Sequence, residues 1–177
     1  MHREIEAKIL NINPKVIQAK LKKLGAKLER ELDLDQVVWW VPGEGRKSLR
    51  VRKASNGSIQ LNLKSNFADG LGYHEWETDV KNYEYTIAMM DQILPVPDLR
   101  VEYGHHRQDW YLDGVLINID WFPRLKPLVE IEAESEEKVY EIAEKLGFKK
   151  EDCLDEGVVS LLFKEFKLKR GQKVKLS

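Results

Sequence analysis

Apolar and polar residues alternate with a period of two over most of the chain, and helical spacing replaces that alternation in only four stretches. Strand patterns run over residues 2–10, 28–32, 36–41, 48–53, 58–65, 74–80, 99–109, 111–120 and 128–134. Turn-forming clusters separate them at Pro42-Gly43-Glu44-Gly45, Ser55-Asn56-Gly57, Asp69-Gly70-Leu71-Gly72 and Asp113-Gly114, so most neighbours are expected to pair as antiparallel hairpins. Asn13-Pro14 opens the first helical stretch, through Val16, Ile17, Leu21 and Leu24 to a stop at Gly25. Asn82 caps a second, from Tyr85 to Leu94, broken by Pro95-Val96-Pro97. Ser135 caps a third, with Glu136 and Glu137 in the first turn and Gly147 at its end. Asp155 is expected to open the last, through Val158, Leu161, Leu162 and Phe166. From Lys164 the chain is basic with little apolar content, which predicts one domain over residues 1–166 and a weakly ordered basic tail over 167–177.

Residues two apart in a strand share a face, so each strand has a charged side. Glu4, Glu6 and Lys8 oppose Ile5, Ala7 and Ile9, while Arg50 and Arg52 oppose Leu49 and Val51. Gln60, Asn62 and Lys64 oppose Ile59, Leu61 and Leu63, and Glu75 and Glu77 oppose Trp76. Asn118 and Asp120 oppose Ile117 and Ile119, and Glu130 and Glu132 oppose Val129 and Ile131. A sheet with one wet face would alternate in the same way. The signs, however, are sorted: carboxylates gather on the first strand, the Glu75 strand and the last, while Arg50, Arg52, Lys64 and Arg107 lie between them in sequence. A sheet this large tends to curl, and helices on its apolar side would leave the ionic face as the inside of a closed barrel with acidic and basic walls. Such a lumen suits a polyphosphate held by Arg and Lys, with Mg²⁺ or Mn²⁺ on the carboxylates.

An internal repeat supports this arrangement. Glu4-Ile5-Glu6-Ala7 recurs as Glu130-Ile131-Glu132-Ala133, and each copy precedes a capped helix ending in Lys-Leu-Gly. The two carboxylate strands are therefore expected at related places in a pseudo-symmetric domain.

Composition narrows the function classes. The chain has 177 residues, with 29 Lys and Arg against 30 Asp and Glu, so no global basic excess points to nucleic acid. The basic tail has no aromatic residue after Phe166 for stacking bases. A single cysteine, Cys153, excludes an intramolecular disulfide and suits a reducing compartment. No apolar run has the length of a membrane span, and a cytoplasmic protein is expected. Nothing in the sequence excludes a homodimer.

The ordered set Glu4-Ile5-Glu6-Ala7-Lys8, Leu49-Arg50-Val51-Arg52, Leu61-Asn62-Leu63-Lys64, Glu75-Trp76-Glu77, Arg107, Asp120 and Glu130-Ile131-Glu132 resembles the CYTH superfamily of triphosphate tunnel metalloenzymes. That superfamily includes thiamine triphosphatases, inorganic triphosphatases and class IV adenylate cyclases. The resemblance implies an α+β fold, an antiparallel eight-stranded β-barrel tunnel with outer helices. It implies that Glu4, Glu6, Glu130, Glu132 and Asp120 hold Mg²⁺ or Mn²⁺. Lys8, Arg50, Arg52, Lys64 and Arg107 would bind a small-molecule triphosphate, with Glu4, Glu6, Lys8 and Asp120 as the catalytic set and Glu75 and Glu77 in support. His105 stands where the family commonly has lysine. Three activities stay open on this reading: metal-dependent triphosphate hydrolysis, cyclisation of ATP, and polyphosphate or nucleotide binding without turnover.

Overall fold

The computed structural model describes residues 2–41, 47–66, 73–94 and 99–176 and, within them, every side chain except those of residues 2–4, 66 and 73. The turns expected at 42–45 and 69–72 and the breaker at 95–97 lie outside the described residues. The strands are β1 (His2–Ile9), β2 (Lys27–Val41), β3 (Lys47–Ala54), β4 (Ile59–Asn66), β5 (Tyr73–Asp79), β6 (Leu99–Leu112), β7 (Val115–Trp121), β8 (Leu128–Ala133) and β9 (Gln172–Leu176). The helices are α1 (Pro14–Lys23), α2 (Tyr83–Ile93), α3 (Glu136–Lys145) and α4 (Val158–Glu165).

Local chemistry explains where three helices begin. The Asn13 side chain accepts hydrogen bonds from the Lys15 and Val16 amides, Asn82 accepts one from Tyr85, and Ser135 accepts one from Lys138. The fourth differs from expectation, because α4 starts after Gly157 rather than at Asp155 and carries no side-chain cap.

Three boundaries also move in the sheet. The two segments expected at 28–32 and 36–41 are one strand, since Leu34 is buried between exposed Asp33 and Asp35 and the alternation continues through both aspartates. β6 runs on to Leu112, because the reversal falls at Asp113 and Gly114, whose φ values of 52° and 79° form the left-handed pair of a tight hairpin. The tail read as a weakly ordered end carries β9, which pairs in parallel with β6 from Leu99↔Gln172 to Tyr103↔Leu176. Leu168 and Leu176 are buried, and five residues alternating Lys with Val or Leu are enough to extend an open strand edge.

Hydrogen bonding orders the sheet β2-β3-β4-β5-β1-β8-β7-β6, and β2 then pairs with β6 as well. Val38, for example, faces Arg50 across one edge and Val101 across the other. Eight antiparallel strands thus close on themselves, with β9 as an additional ninth. The repeat occupies the centre of this ring. β1 and β8 pair antiparallel with Glu6 opposite Glu132 and Lys8 opposite Glu130, so the repeated motifs meet around a local pseudo-twofold. The Lys20 ammonium of α1 donates to the Leu146 carbonyl ending α3, which ties the two following helices together.

Outward-facing residues form the core between barrel and helices. Ile5, Ala7, Ile117 and Ile131 meet Ile17 and Leu21 of α1 and Val139 and Ile142 of α3. Val37, Trp39 and Val51 meet Ile87 and Met90 of α2. α4 lies over one mouth of the tunnel, with Leu162 buried among Val38, Tyr103 and Phe122, and Phe163 stacked on Trp40 at 5.8 Å.

The seam that closes the barrel carries a charged clasp on its outer face. His106 on β6 places Nδ1 2.9 Å from Asp33 Oδ1 and Nε2 3.0 Å from Glu31 Oε1, both on β2. Burial disfavours the charged ring, but the hydrogen bonds to Asp33 and Glu31 outweigh it and raise the His106 pKa above its ordinary 6.5. A raised pKa contributes stability that is fully present below the unfolded value and lost as pH rises through the folded one. Unfolding midpoints measured across the neutral range are therefore expected to fall in the wild type and to be flatter in His106→Asn, and equal slopes would exclude the clasp.

Candidate active site

Strand parity places the expected residues. Even positions of β1, β2, β3, β4, β7 and β8 and odd positions of β5 and β6 turn inward, so chemistry from eight strands converges on one volume. A cavity of about 120 Å³ lies there, walled by Glu6 and Lys8 of β1, Arg50 and Arg52 of β3, Lys64 of β4, Arg107 of β6 and Glu130 of β8. Lys47, Gln36, Asn62, Tyr103 and His105 also line it, as do residues 157–160 at the start of α4.

As their order in sequence suggested, the charges are sorted into walls: carboxylates on the adjacent strands β5, β1, β8 and β7, and bases on β6, β3 and β4 to either side of β2, with Lys8 standing inside the acidic wall. Arg107 grips Asp120 with both ends of its fork, Nε to Oδ1 and an Nη to Oδ2, each at 2.7 Å, and approaches Glu130 at 3.4 Å. Glu130 meets Lys8 at 3.0 Å, and Lys8 donates to Glu6. Glu6 then meets Lys64 at 3.1 Å, Lys64 approaches Glu75 at 3.9 Å, and Glu75 lies 3.8 Å from Arg50. Arg52 donates to Gln60 at 2.8 Å and lies 3.9 Å from Glu77. The ion pairs form where the two walls meet, with β5 beside β4 and β7 beside β6, and around Lys8 within the acidic wall.

Burial raises the cost of each charge, and the neighbours decide the outcome. For Asp120, fully buried, burial would raise the pKa, but the Arg107 guanidinium and the hydrogen bonds to it hold the carboxyl below its ordinary range. Glu130 behaves alike: burial pushes up, and Lys8, Arg107 and Lys64 together pull it well below. Arg107 is held above its ordinary value, since Asp120 and Glu130 outweigh its desolvation. Arg52 goes the other way. Repulsion from Arg50, followed by burial and by repulsion from Arg107, lowers it from 12.5 to about 9, so it stays protonated at neutral pH in a surplus of positive charge. Six basic and two acidic side chains line the cavity directly, and Glu75, Glu77 and Asp120 stand behind them. The lining thus carries a surplus of positive charge.

A divalent cation fits the donor set. Glu6 and Glu130 are hard oxygen donors that converge on one ammonium, that of Lys8, and Glu132 lies opposite Glu6 in the ladder. Among the described residues no three acidic, histidine or cysteine side chains already stand in metal-holding positions. The Glu4 side chain lies outside the described residues; its backbone pairs with Tyr73. Of the remaining expected residues, Glu6, Lys8, Arg50, Arg52, Lys64, Arg107 and Glu130 face the cavity, whereas Asp120, Glu75 and Glu77 brace its cations. Sequence reasoning passed over Gln36 and Tyr103, for which inward parity was the available signal, and Lys47, whose odd position at the start of β3 gave none.

Fold and cavity together define a closed antiparallel tunnel whose cavity is lined by more basic than acidic side chains. The chain belongs to the CYTH domain family, whose sequence profile matches residues 2–157. No curated protein matches it. Among solved structures it is similar to the PH1012 protein from Pyrococcus horikoshii OT3, at 23% identity and a TM-score of 0.79 over 89% of this chain and 98% of that one. A candidate adenylate cyclase from Vibrio parahaemolyticus shares 15% identity and a TM-score of 0.72, over 90% and 97% of the two chains. HpAC1 from Hippeastrum, a candidate adenylyl cyclase with a dominant triphosphatase activity, shares 16% identity and a TM-score of 0.59, over 92% and 94%. Among the described residues no helix is long and apolar enough to cross a membrane.

Proposed function

We propose that this protein is a divalent-metal-dependent hydrolase of a small-molecule triphosphate bound in the tunnel. The gathering of Arg50, Arg52, Lys64 and Arg107 around one cavity carries the reading, because a polyphosphate is the ligand whose charges match such a set. Arg50, Arg52, Lys64 and Arg107 bind the phosphate oxygens. Glu6 and Glu130, with Glu4 and Glu132, would hold Mg²⁺ or Mn²⁺, which when bound supplies charge neutralisation at the phosphoryl oxygens. Lys8 and Lys64, which neutralise Glu6 in this structure, exchange it for phosphate oxygens when substrate enters. Asp120 acts through Arg107, since both carboxylate oxygens are taken by that guanidinium, and Glu75 and Glu77 support Arg50 and Arg52 in the same way. In hydrolysis a water oxygen attacks the terminal phosphorus, the anhydride P–O bond breaks, and the proton of the water passes to a lumen carboxylate. The same chemistry in the neighbour HpAC1, whose triphosphatase activity dominates, favours hydrolysis over cyclisation here.

The test is product analysis with tripolyphosphate, thiamine triphosphate and ATP, in Mg²⁺ or Mn²⁺. Metal-dependent phosphate release is expected, and Glu6→Gln should lower it at least about a hundredfold while the protein stays folded. Cyclic AMP as the main product, tight binding without turnover, or a Glu6→Gln variant as active as wild type would each refute the proposal.

A further inference from the structure

The helix α2 is apolar on both of its sides. Tyr83, Ile87, Met90 and Leu94 pack against the barrel residues Val37, Trp39 and Val51. On the other side Tyr85, Met89 and Ile93 stand four residues apart in one row along the helix. They are 72%, 58% and 65% exposed, the three most exposed large apolar side chains among the described residues. Ala88 and Gln92 are exposed beside them, so the outer face from Tyr85 to Ile93 carries no charge. Asp91 is turned aside, accepting from Trp39 Nε1 at 2.8 Å and Arg100 Nε at 2.9 Å. The helices α1 and α3 are built for water instead, with Lys15, Lys22 and Lys23 exposed on one and Glu137, Glu141 and Glu144 on the other. In a chain with 33% charged residues, an outer helix face without any reads as a docking surface.

We propose that this face joins two copies of the chain, α2 against α2, about a twofold axis at Met89. An antiparallel pair of helices sets residue 85 opposite residue 93 and residue 89 opposite itself, so the row covers its own copy along its whole length. Charge favours a second copy. The face offers nothing to select a charged partner and nothing to repel itself, and at a net charge of -1 the chain adds almost no long-range repulsion between copies. A bilayer surface fits less well, because interfacial helices flank their apolar row with Lys or Arg and α2 has neither in its 11 residues. Area sets the strength: the row and its flanks cover about 400–600 Å² on each copy, short of the roughly 800 Å² of a standard interface, so the dimer is weak and concentration-dependent. The inference is independent of the triphosphate reading, since α2 packs on the outside of the barrel.

Sedimentation equilibrium of the full chain from about 1 to 300 µM tests the pairing. The wild-type mass should rise from 20.7 kDa toward twice that value, with half-dimerisation at about 10–100 µM. Met89→Arg sets two like charges face to face on the axis and should stay monomeric. Its thermal midpoint at low concentration should match the wild type, because Met89 takes no part in the packing beneath α2. Should that variant fail to fold, Tyr85→Glu reads the same loss. In a Cys153→Ser background, oxidation should link Met89→Cys to its own copy but not Tyr85→Cys, whose two sulfurs lie too far apart across the axis for a disulfide. A wild type that is monomeric over the whole range, a folded Met89→Arg that still dimerises, or linkage at residue 85 in place of 89 would overturn the proposal. So would a monomer that binds phosphatidylcholine vesicles in the wild type and not in Met89→Arg, which would give the face to a lipid surface.

Discussion

Replacing Arg107 with methionine should abolish turnover and cost about 3–5 kcal/mol of stability at neutral pH, because it strands Asp120 as a buried charge without its cation. Asp120 has no solvent contact, and both its oxygens accept from Arg107. The double variant Arg107→Met/Asp120→Asn separates the two losses. A neutral amide in place of the carboxylate should restore most of the stability, whereas activity should stay absent, since the guanidinium that meets the phosphate is still missing. Acid dependence gives a second reading of the same pair. In wild type the carboxyls of Asp120 and Glu130 are held below their ordinary values, so they contribute stability above the unfolded pKa and lose it as pH falls through the folded one. In Arg107→Met the sign at Asp120 reverses, and mild acidification should stabilise the variant by protonating the stranded carboxylate. Urea unfolding followed by tryptophan fluorescence measures both effects; a single-variant loss below about 1 kcal/mol would show that Asp120 does not depend on Arg107 for its charge.

Alternation made the faces of the strands readable, because a period of two assigns each residue a side whatever its partner. It also made the repeat readable, and β1 and β8 do meet around it. Pairing between strands was another matter. Whether Glu6 sits beside Glu132 or Lys64 depends on register between segments far apart in sequence, so the sorting of signs along the chain indicated acidic and basic walls but not the ion pairs that join them. β9 escaped for a related reason: five residues with two lysines have no strong pattern of their own and become a strand through the open edge of β6. The place of α4 depends on tertiary packing too, since apolar residues such as Leu162 and Phe163 fit an outer wall as readily as a tunnel mouth. Gln36 and Tyr103 belong to no charge pattern, and they come together only when β2 closes onto β6.

Arg52→Gln should give opposite changes in stability and affinity, a pairing that a structural salt bridge would not produce. The free protein should become more stable, because Arg52 is crowded by Arg50 and Arg107 and its attraction to Glu77 and Glu75 does not offset that repulsion and its burial. Tripolyphosphate or nucleotide should bind about tenfold to a hundredfold more weakly, the worth of one charge-assisted hydrogen bond to a phosphate oxygen. Thermal unfolding with and without ligand reads both quantities. Saturating ligand at about 100 times Kd adds about 2.7 kcal/mol to wild-type stability, so at that same concentration the variant should keep about 1.4 kcal/mol if it binds tenfold more weakly and about 0.4 kcal/mol if a hundredfold. Glutamine retains a hydrogen-bonding side chain at the position, so the comparison isolates the charge. If the variant is less stable without ligand and binds as tightly as wild type, Arg52 is a structural partner of Glu77 and Gln60, and the positive surplus of the cavity is not what attracts its ligand.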